Sequence, residues 1–335
     1  MLDDGTVGRV SNLIAEGTVE DDSPMSLSEY LQTAEIDENL FRILFSAAAA
    51  SAQVAKELRT LTLSSLNEEG GNINIQGEKQ KGMDVRANEI FVQQLKPLVL
   101  SLVSEEEEDI LAGDGKMYAI AFDPLDGSSN LDVAAPTGTI FGVYRQDTVA
   151  DNPFGRPARH SLVAAGYTVY SSATELVMSI GDSAVGFTLD ESTFRCSRTN
   201  MICPDRGPYY SLREAREPDW PDGLRKWIHD AKRGETSSGM KYSARYVCSL
   251  TSDVHRTLLK GGWAGRPHLR LLYEAAPLAF IMEKSGGVGS DGVSNLLDIK
   301  PTNLHERVCC FLGSKSDIRD LLEYGDVQQE TSTQA

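Results

Sequence analysis

The chain has 335 residues, and none of its apolar runs approaches the roughly 18 residues that a membrane-crossing helix needs. Positive charge is scarce. Lys and Arg number 32 against 49 Asp and Glu, a formal net charge of −17. A surface of that sign repels polyanions, so nucleic acid is not an expected partner. Cysteine is scarce as well. Cys196, Cys203, Cys248, Cys309 and Cys310 are odd in number and match no zinc spacing. They fit a reducing compartment, as small buried apolar side chains. The opening MLDDGTVGRV lacks the basic and apolar regions of a signal peptide, and the closing TSTQA carries no recognised address. A cytoplasmic protein is the expectation.

What remains is an ordinary globular composition in which strand and helix patterns interleave, the signature of an α/β protein with helices layered between sheets. The length suits two subdomains. The expected division is a flexible acidic arm over 1–25, an N-terminal α/β subdomain over 26–203 and a C-terminal one over 204–335. Apolar residues from Leu40 to Leu61 recur at helical spacing. Residues 62–82, with Gly70 and Gly71, read as a long loop. Asp84 reads as the N-cap of a helix reaching Leu95. Strands are expected over 98–103, 118–122, 139–144, 161–169, 175–180, 186–189 and 269–272. Helices are expected near 224–231, 250–259, 274–284 and 317–323.

Two acidic groups carry chemistry. Asp123 and Asp126 flank Pro124-Leu125 directly after a strand, and Gly127-Ser128-Ser129-Asn130 follows. Hard carboxylates beside small residues at a helix start are what a magnesium phosphoryl-transfer site requires. An ordinary turn is the competing reading. Glu105 to Asp109 is a second acidic run. Alone it reads as a solvated patch. Its place at the end of a strand, next in order to the strand that Asp123 ends, lets Glu105 and Glu106 face Asp123 and Asp126. Carboxylates that close repel unless cations bridge them.

Ser104-Glu105-Glu106, the run Phe122 to Asn130, and Gly138-Thr139-Ile140-Phe141-Gly142 together resemble the fructose-1,6-bisphosphatase family. The likeness continues through Leu162 to Tyr167, Ala244 to Val247, Asp253 to Leu258 and Leu269 to Glu274, and covers about residues 38–325. That family includes sedoheptulose-1,7-bisphosphatase and is related to inositol monophosphatases, which lack the Leu269–Glu274 segment. The resemblance implies a layered αβαβα sugar-phosphatase fold. It implies Glu105, Asp123, Asp126, Glu274 and the Leu125 carbonyl as ligands of about two or three magnesium ions, replaceable by manganese. Asp84 and Glu106 would assist the attacking water. N–H groups of Gly127, Ser128 and Ser129 would hold the phosphate that leaves. Arg245, Tyr246 and Arg270 would hold the one that stays, with Arg245 reaching a neighbouring subunit in a homodimer or homotetramer. For any single Arg the plain alternative is a surface ion pair, and for His255 it is a structural role.

Departures bear on the substrate. Glu78 stands where the family has Asp in the loop closing over the metals. Arg213 and Arg216 replace an Asn and a Tyr, and His268 replaces a Lys. The segment 263–267 reads as a shortened loop without the family's phosphate-binding Tyr, with Arg266 as the compensating group. The extra Arg groups suit a substrate whose second phosphate lies further out, and the segments 274–278, 290–292 and 313–315 resemble sedoheptulose bisphosphatases, whereas 167–177 resembles fructose bisphosphatases. The expectation is the seven-carbon bisphosphate, with fructose 1,6-bisphosphate as the alternative and an inactive regulatory relative as the remote one. The family's AMP turn is replaced by Glu35–Leu40, and the Lys preceding Tyr118 by Met117. AMP at millimolar concentration is therefore expected to inhibit weakly or not at all. Titrating AMP into a phosphate-release assay checks this, and potent inhibition that vanishes in Tyr118→Phe would refute it.

Overall fold

The computed structural model describes residues 24–63, 69–73, 79–181 and 183–329. Among these, seven α-helices occur: α1 Leu27–Thr33, α2 Glu38–Leu58, α3 Gly82–Leu95, α4 Asp222–Arg233, α5 Leu250–Lys260, α6 Ala276–Lys284 and α7 Lys315–Leu322. Local chemistry sets their starts. Ser26 and Glu29 form a reciprocal capping box on α1. Asp37 caps α2 by accepting from the N–H groups of Asn39 and Leu40 at 2.9 and 3.1 Å. Asp84 is not a cap: it lies inside the first turn of α3, because the helix starts two residues earlier at Gly82.

Strands β1 Glu69–Ile73 and β2 Lys79–Lys81 pair as an antiparallel hairpin in the region read as a loop. A mixed sheet follows: β3 Ser101–Ser104, β4 Leu111–Ala112, β5 Ala119–Asp126, β6 Thr137–Tyr144, β7 Leu162–Tyr170, β8 Thr174–Ser179, β9 Ala184–Asp190 and β10 Thr193–Met201. Its order is β10-β9-β8-β7-β6-β5-β3-β4. Of these pairs, β3 and β5 run parallel and the others antiparallel. The chain enters along the edge: Cys196 N–H donates to the Met25 carbonyl at 2.8 Å. The second sheet contains β11 Tyr209–Ser211, β12 Ser243–Ala244, β13 Trp263–Arg270, β14 Val288–Ser290 and β15 Arg307–Gly313, in the order β12-β11-β13-β15-β14.

Alternating side chains build three cores. On β5, Ile120 and Phe122 join the α1–α3 core, while Ala119 and Ala121 join a core shared with α5 and α6. On β15, Val308, Cys310 and Leu312 face that same middle core. Cys309 and Phe311 face a third one with Trp227 of α4 and Ile318 of α7. The layers are helix, sheet, helix, sheet, helix, as the α/β reading implied.

The segment 263–267 corrects the sequence reading. It is strand rather than loop, and the expected strand 269–272 is the end of β13 followed by a π turn over Leu271–Ala275. Gly265 and Pro267 hid the strand. Gly265 is needed because a Cβ there would meet the Trp263 ring at 2.9 Å and Phe311 at 3.1 Å. Pro267 falls where the β13–β15 register slips, between Arg266 and Leu269. Strands β4, β10, β11, β12, β14 and β15 were also unanticipated.

His255 of α5 lies in the middle layer, its Nδ1 3.0 Å from the Tyr167 hydroxyl. Burial pulls its pKa from 6.5 down to about 4. Below pH 6.5 the unfolded chain takes up a proton that the folded chain refuses, so stability falls as pH drops through this window. From pH 7 to pH 5 the loss attributable to His255 is about 2 kcal/mol. In His255→Gln the difference in urea-unfolding stability between these pH values is expected to shrink by that amount. An unchanged difference would show that the imidazole does not set the acid limb.

Candidate active site

The parallel pairing of β3 with β5 brings the acidic run to the Asp123 motif. Ser104 is registered with Phe122, so the next residues, Glu105 and Asp123, emerge side by side. Glu105 N–H donates to the Phe122 carbonyl at 3.2 Å, and Glu106 N–H to the Ser104 hydroxyl at 3.2 Å. Asn88, one turn after Asp84 on α3, accepts from Ser104 Oγ at 2.7 Å and donates to Glu107 Oε1 at 2.7 Å. The helix bearing the buried Asp84 is thereby stitched to the turn bearing Glu105 and Glu106.

Asp123 and Asp126 are buried, and oxygens of Asp123, Asp126 and Glu274 lie within 4.8 Å of one another. Burial pushes the Asp123 carboxyl well above its usual range, and the Glu105, Glu274 and Asp126 carboxylates push it further. Asp126 is raised by burial, although hydrogen bonds to Thr251 oppose the shift. The first turn of α5 supplies those bonds. Asp126 accepts from Thr251 N–H and Oγ1, each at 2.9 Å, from Ser249 Oγ at 3.2 Å and from Leu250 N–H at 3.3 Å. Glu274 rides the π turn and accepts from Arg270 N–H at 2.5 Å. π turns widen a helix locally and recur at functional sites. The donor set is all carboxylate oxygen, which fits a hard divalent cation such as magnesium or manganese rather than zinc. Leu125 N–H donates to Asp123 Oδ1 at 2.9 Å. Gly127 takes a left-handed φ of 74°, and Ser128 opens a short 3-10 helix to Val133. The first N–H groups of such a turn lack intrahelical acceptors.

Cationic side chains gather beside α5. Asp253, fully buried, accepts from Arg266 Nη2 at 2.5 Å and from Val247 N–H at 3.1 Å. The Arg266 guanidinium lies 4.6 Å above the Tyr246 ring. Burial pushes the Tyr246 hydroxyl up to about 12, leaving it neutral and able to donate. His268 is pulled down by burial and then by the positive charges of Arg270, Arg216, Arg213 and Arg266. Its Nδ1 is buried without a hydrogen-bond partner. Arg213 and Arg216 are exposed, with Arg216 paired to Asp219 at 3.0 Å. Arg245 is also exposed, over the Tyr209 ring at 5.4 Å.

The family model "Fructose-1-6-bisphosphatase, N-terminal domain" matches residues 23–199, and "Fructose-1-6-bisphosphatase, C-terminal domain" matches residues 203–326. The chain belongs to the fructose-1,6-bisphosphatase family. The chloroplastic fructose-1,6-bisphosphatase of Pisum sativum is 39% identical over 327 residues, covering 88% of this chain and 80% of that protein. The Brassica napus counterpart is 39% identical over 321 residues, covering 87% and 78%. The crystal structure of Leishmania major fructose-1,6-bisphosphatase in holo form superposes with a TM-score of 0.86 at 31% identity, covering 91% of this chain and 99% of that one.

As a member of the fructose-1,6-bisphosphatase family, the chain is a phosphatase that hydrolyses a sugar bisphosphate. Among the described residues no helix is long and apolar enough to cross a membrane. Glu78 lies outside the described residues. Three groups at the site were not singled out from sequence: Asn88, Thr251 and His305. Asn88 had a signal, since it lies four residues after Asp84 and so on the same helical face. Tyr118 and the Glu35–Leu40 segment meet in the structure. The Tyr118 hydroxyl donates to Asp37, the α2 cap, and Arg145 lies over the Tyr118 ring at 5.5 Å.

Asp123→Asn or Glu105→Gln is expected to abolish phosphate release while the metal-free protein stays folded. Each removes one carboxylate from the acidic cluster, and loss of a bound divalent metal would forfeit several kcal/mol (order of magnitude) of transition-state stabilisation. Turnover and thermal melting with and without divalent metal check this. Near-normal turnover in either variant at saturating metal would sink the assignment.

Proposed function

We propose that the chain removes the 1-phosphate of a ketose bisphosphate with magnesium, using Asp84, Glu105, Glu106, Asp123, Asp126, Glu274 and the Leu125 carbonyl at one end of the site. The single observation that carries this reading is the first turn of α5. It holds Asp126 of the carboxylate cluster at its start and, through Asp253, Arg266 of the cationic pocket one turn later. A bisphosphate has the matching form, one reacting phosphate and one handle. Magnesium bound by the carboxylates would polarise the reacting phosphoryl group and offset its charge. N–H groups of Gly127, Ser128 and Ser129 orient that phosphate. Asp84 and Glu106, on the α3 side, take the proton from the attacking water. Arg213, Arg245, Tyr246, Arg266, His268 and Arg270 grip the distal phosphate, where the forked guanidinium suits oxygen pairs.

Two substrate lengths have separate support. The relatives named above are fructose-1,6-bisphosphatases, which favours the six-carbon substrate. The positive charges of Arg213 and Arg216, both felt at His268, widen the cationic pocket toward solvent and favour the seven-carbon one. An inactive relative is disfavoured by the clustered carboxylates. Arg245, exposed at the pocket edge, suits a homodimer or homotetramer in which it serves a neighbour. The five free cysteines suit a reducing compartment, which the cytoplasm provides. The chloroplastic relatives make the plastid the alternative.

The deciding measurement is kcat/KM on fructose 1,6-bisphosphate and sedoheptulose 1,7-bisphosphate, side by side, in wild type and Arg213→Asn. Losing a charge-assisted phosphate contact costs about 1.5–3 kcal/mol, roughly tenfold to hundredfold. If Arg213 reads the longer substrate, its loss lowers the seven-carbon value more. An unchanged ratio removes Arg213 from the pocket, and a wild-type ratio favouring six carbons establishes the fructose reading.

A further inference from the structure

His305 touches both segments that carry the opposing carboxylates, and no role assigned above uses it. It sits half-buried in the loop between Asp298 and β15. Its Nε2 is 3.2 Å from the carbonyl oxygen of Glu108, in the turn that carries Glu105 and Glu106. Its Nδ1 is 2.8 Å from the hydroxyl of Tyr273, the residue before Glu274 on the π turn. The two rings meet edge to face, with centroids 5.8 Å apart at 65°. A carbonyl only accepts, so Nε2 carries the hydrogen and donates to Glu108. Nδ1 is then a lone pair and accepts from the Tyr273 O–H. One neutral tautomer satisfies both contacts. Burial lowers the His305 pKa, the bond to the Glu108 carbonyl opposes this, and Arg270 adds to the lowering.

The loop that presents His305 is itself anchored to the π turn. Leu271 N–H donates to the Glu306 carbonyl at 2.8 Å, and His305 N–H donates to Asn303 Oδ1 at 3.0 Å. A second tie, from the Tyr144 hydroxyl to the Leu272 carbonyl at 2.7 Å, holds the π turn to β6 instead. His305 therefore spans between the turn after β3, in one sheet, and the turn after β13, in the other. The carboxylates on these turns repel one another, and the distance between them sets how well they share a cation.

We infer that His305 is a positioning residue that fixes the spacing of the Glu105 turn and the Glu274 turn and so sets the affinity of the site for divalent metal. This rests on the metal-dependent reading proposed above. A brace that served only the fold would change melting temperature without changing metal affinity.

The test uses the full chain, with manganese binding by calorimetry and phosphate release titrated with magnesium. His305→Phe keeps the ring against Tyr273 and removes both hydrogen bonds. Tyr273→Phe removes a single hydroxyl. Each is expected to weaken manganese binding and raise the half-activating magnesium concentration by about tenfold, the size of outer-shell effects at metal sites. Turnover at saturating magnesium is largely retained. The double variant is no worse than the weaker-binding single one, because both break the same link. Unchanged manganese affinity in Tyr273→Phe and His305→Phe overturns the inference, whatever happens to the melting temperature. Should His305→Phe fail to fold, Tyr273→Phe decides alone. A wild-type protein that binds manganese but releases no phosphate from either ketose bisphosphate defeats the functional reading, while calorimetry still judges His305. A wild type that binds no divalent ion overturns both.

Discussion

Several carboxylates held close together inside a protein repel one another and resist losing their water, and much of this fold can be read as the means of keeping them there. Asp123 and Asp126 are buried within a few ångströms of Glu274, with Glu105 adjoining. No single element could present them all. One pair comes from the end of strand β5, another group from the turn after its parallel neighbour β3, and Glu274 from the π turn that follows β13 of the second sheet. Each is then fixed by donors that cannot follow it if it moves: the Leu125 N–H for Asp123, the α5 N-terminus for Asp126, the Arg270 N–H for Glu274. The electrostatic strain that remains is what a divalent cation relieves.

The middle helical layer turns this local constraint into a substrate-sized one. α5 packs in the core shared by both sheets, through Leu250, Val254 and Leu258. Its buried N-terminal dipole favours the ionised form of Asp126 against the effect of burial, and its buried Asp253 holds a guanidinium within reach of Tyr246. The spacing between Asp126 and the Arg266 guanidinium is thus set by a single turn of α5. Close packing enforces it: a Cβ at Gly138 would strike Thr251 Oγ1 at 2.1 Å, so β6 and α5 approach as nearly as backbone allows.

The acidic run and the Asp123 motif were visible in the sequence as short motifs at strand ends; the family resemblance linked them, and the β3–β5 pairing is what places them side by side. Asp84, Glu105, Asp123 and Asp126 all lie within or next to elements that their own periodicity announces. The distal pocket was harder. Gly265 and Pro267 carry the composition of a loop, and only pairing with β15 and β11 makes Trp263–Arg270 a strand. The π turn was invisible because its extra residue per turn arises from tertiary packing rather than from any propensity of Leu271–Ala275. His305 gave no signal at all: a lone histidine in a polar loop acquires meaning only when Tyr273 and Glu108 meet it from two sheets.

The family models divide the chain between residues 199 and 203, yet the apolar packing ignores that border. Val103, Ala121 and Tyr167 from before it share one core with Leu250, Leu269 and Met282 from after it. Each part has a core of its own, but the middle core belongs to both. The two are therefore not interchangeable modules, and a new substrate preference cannot be acquired by swapping in a foreign second half with its sugar pocket. Replacements at exposed positions such as Arg213 and Arg216, outside the shared interior, leave that common core untouched.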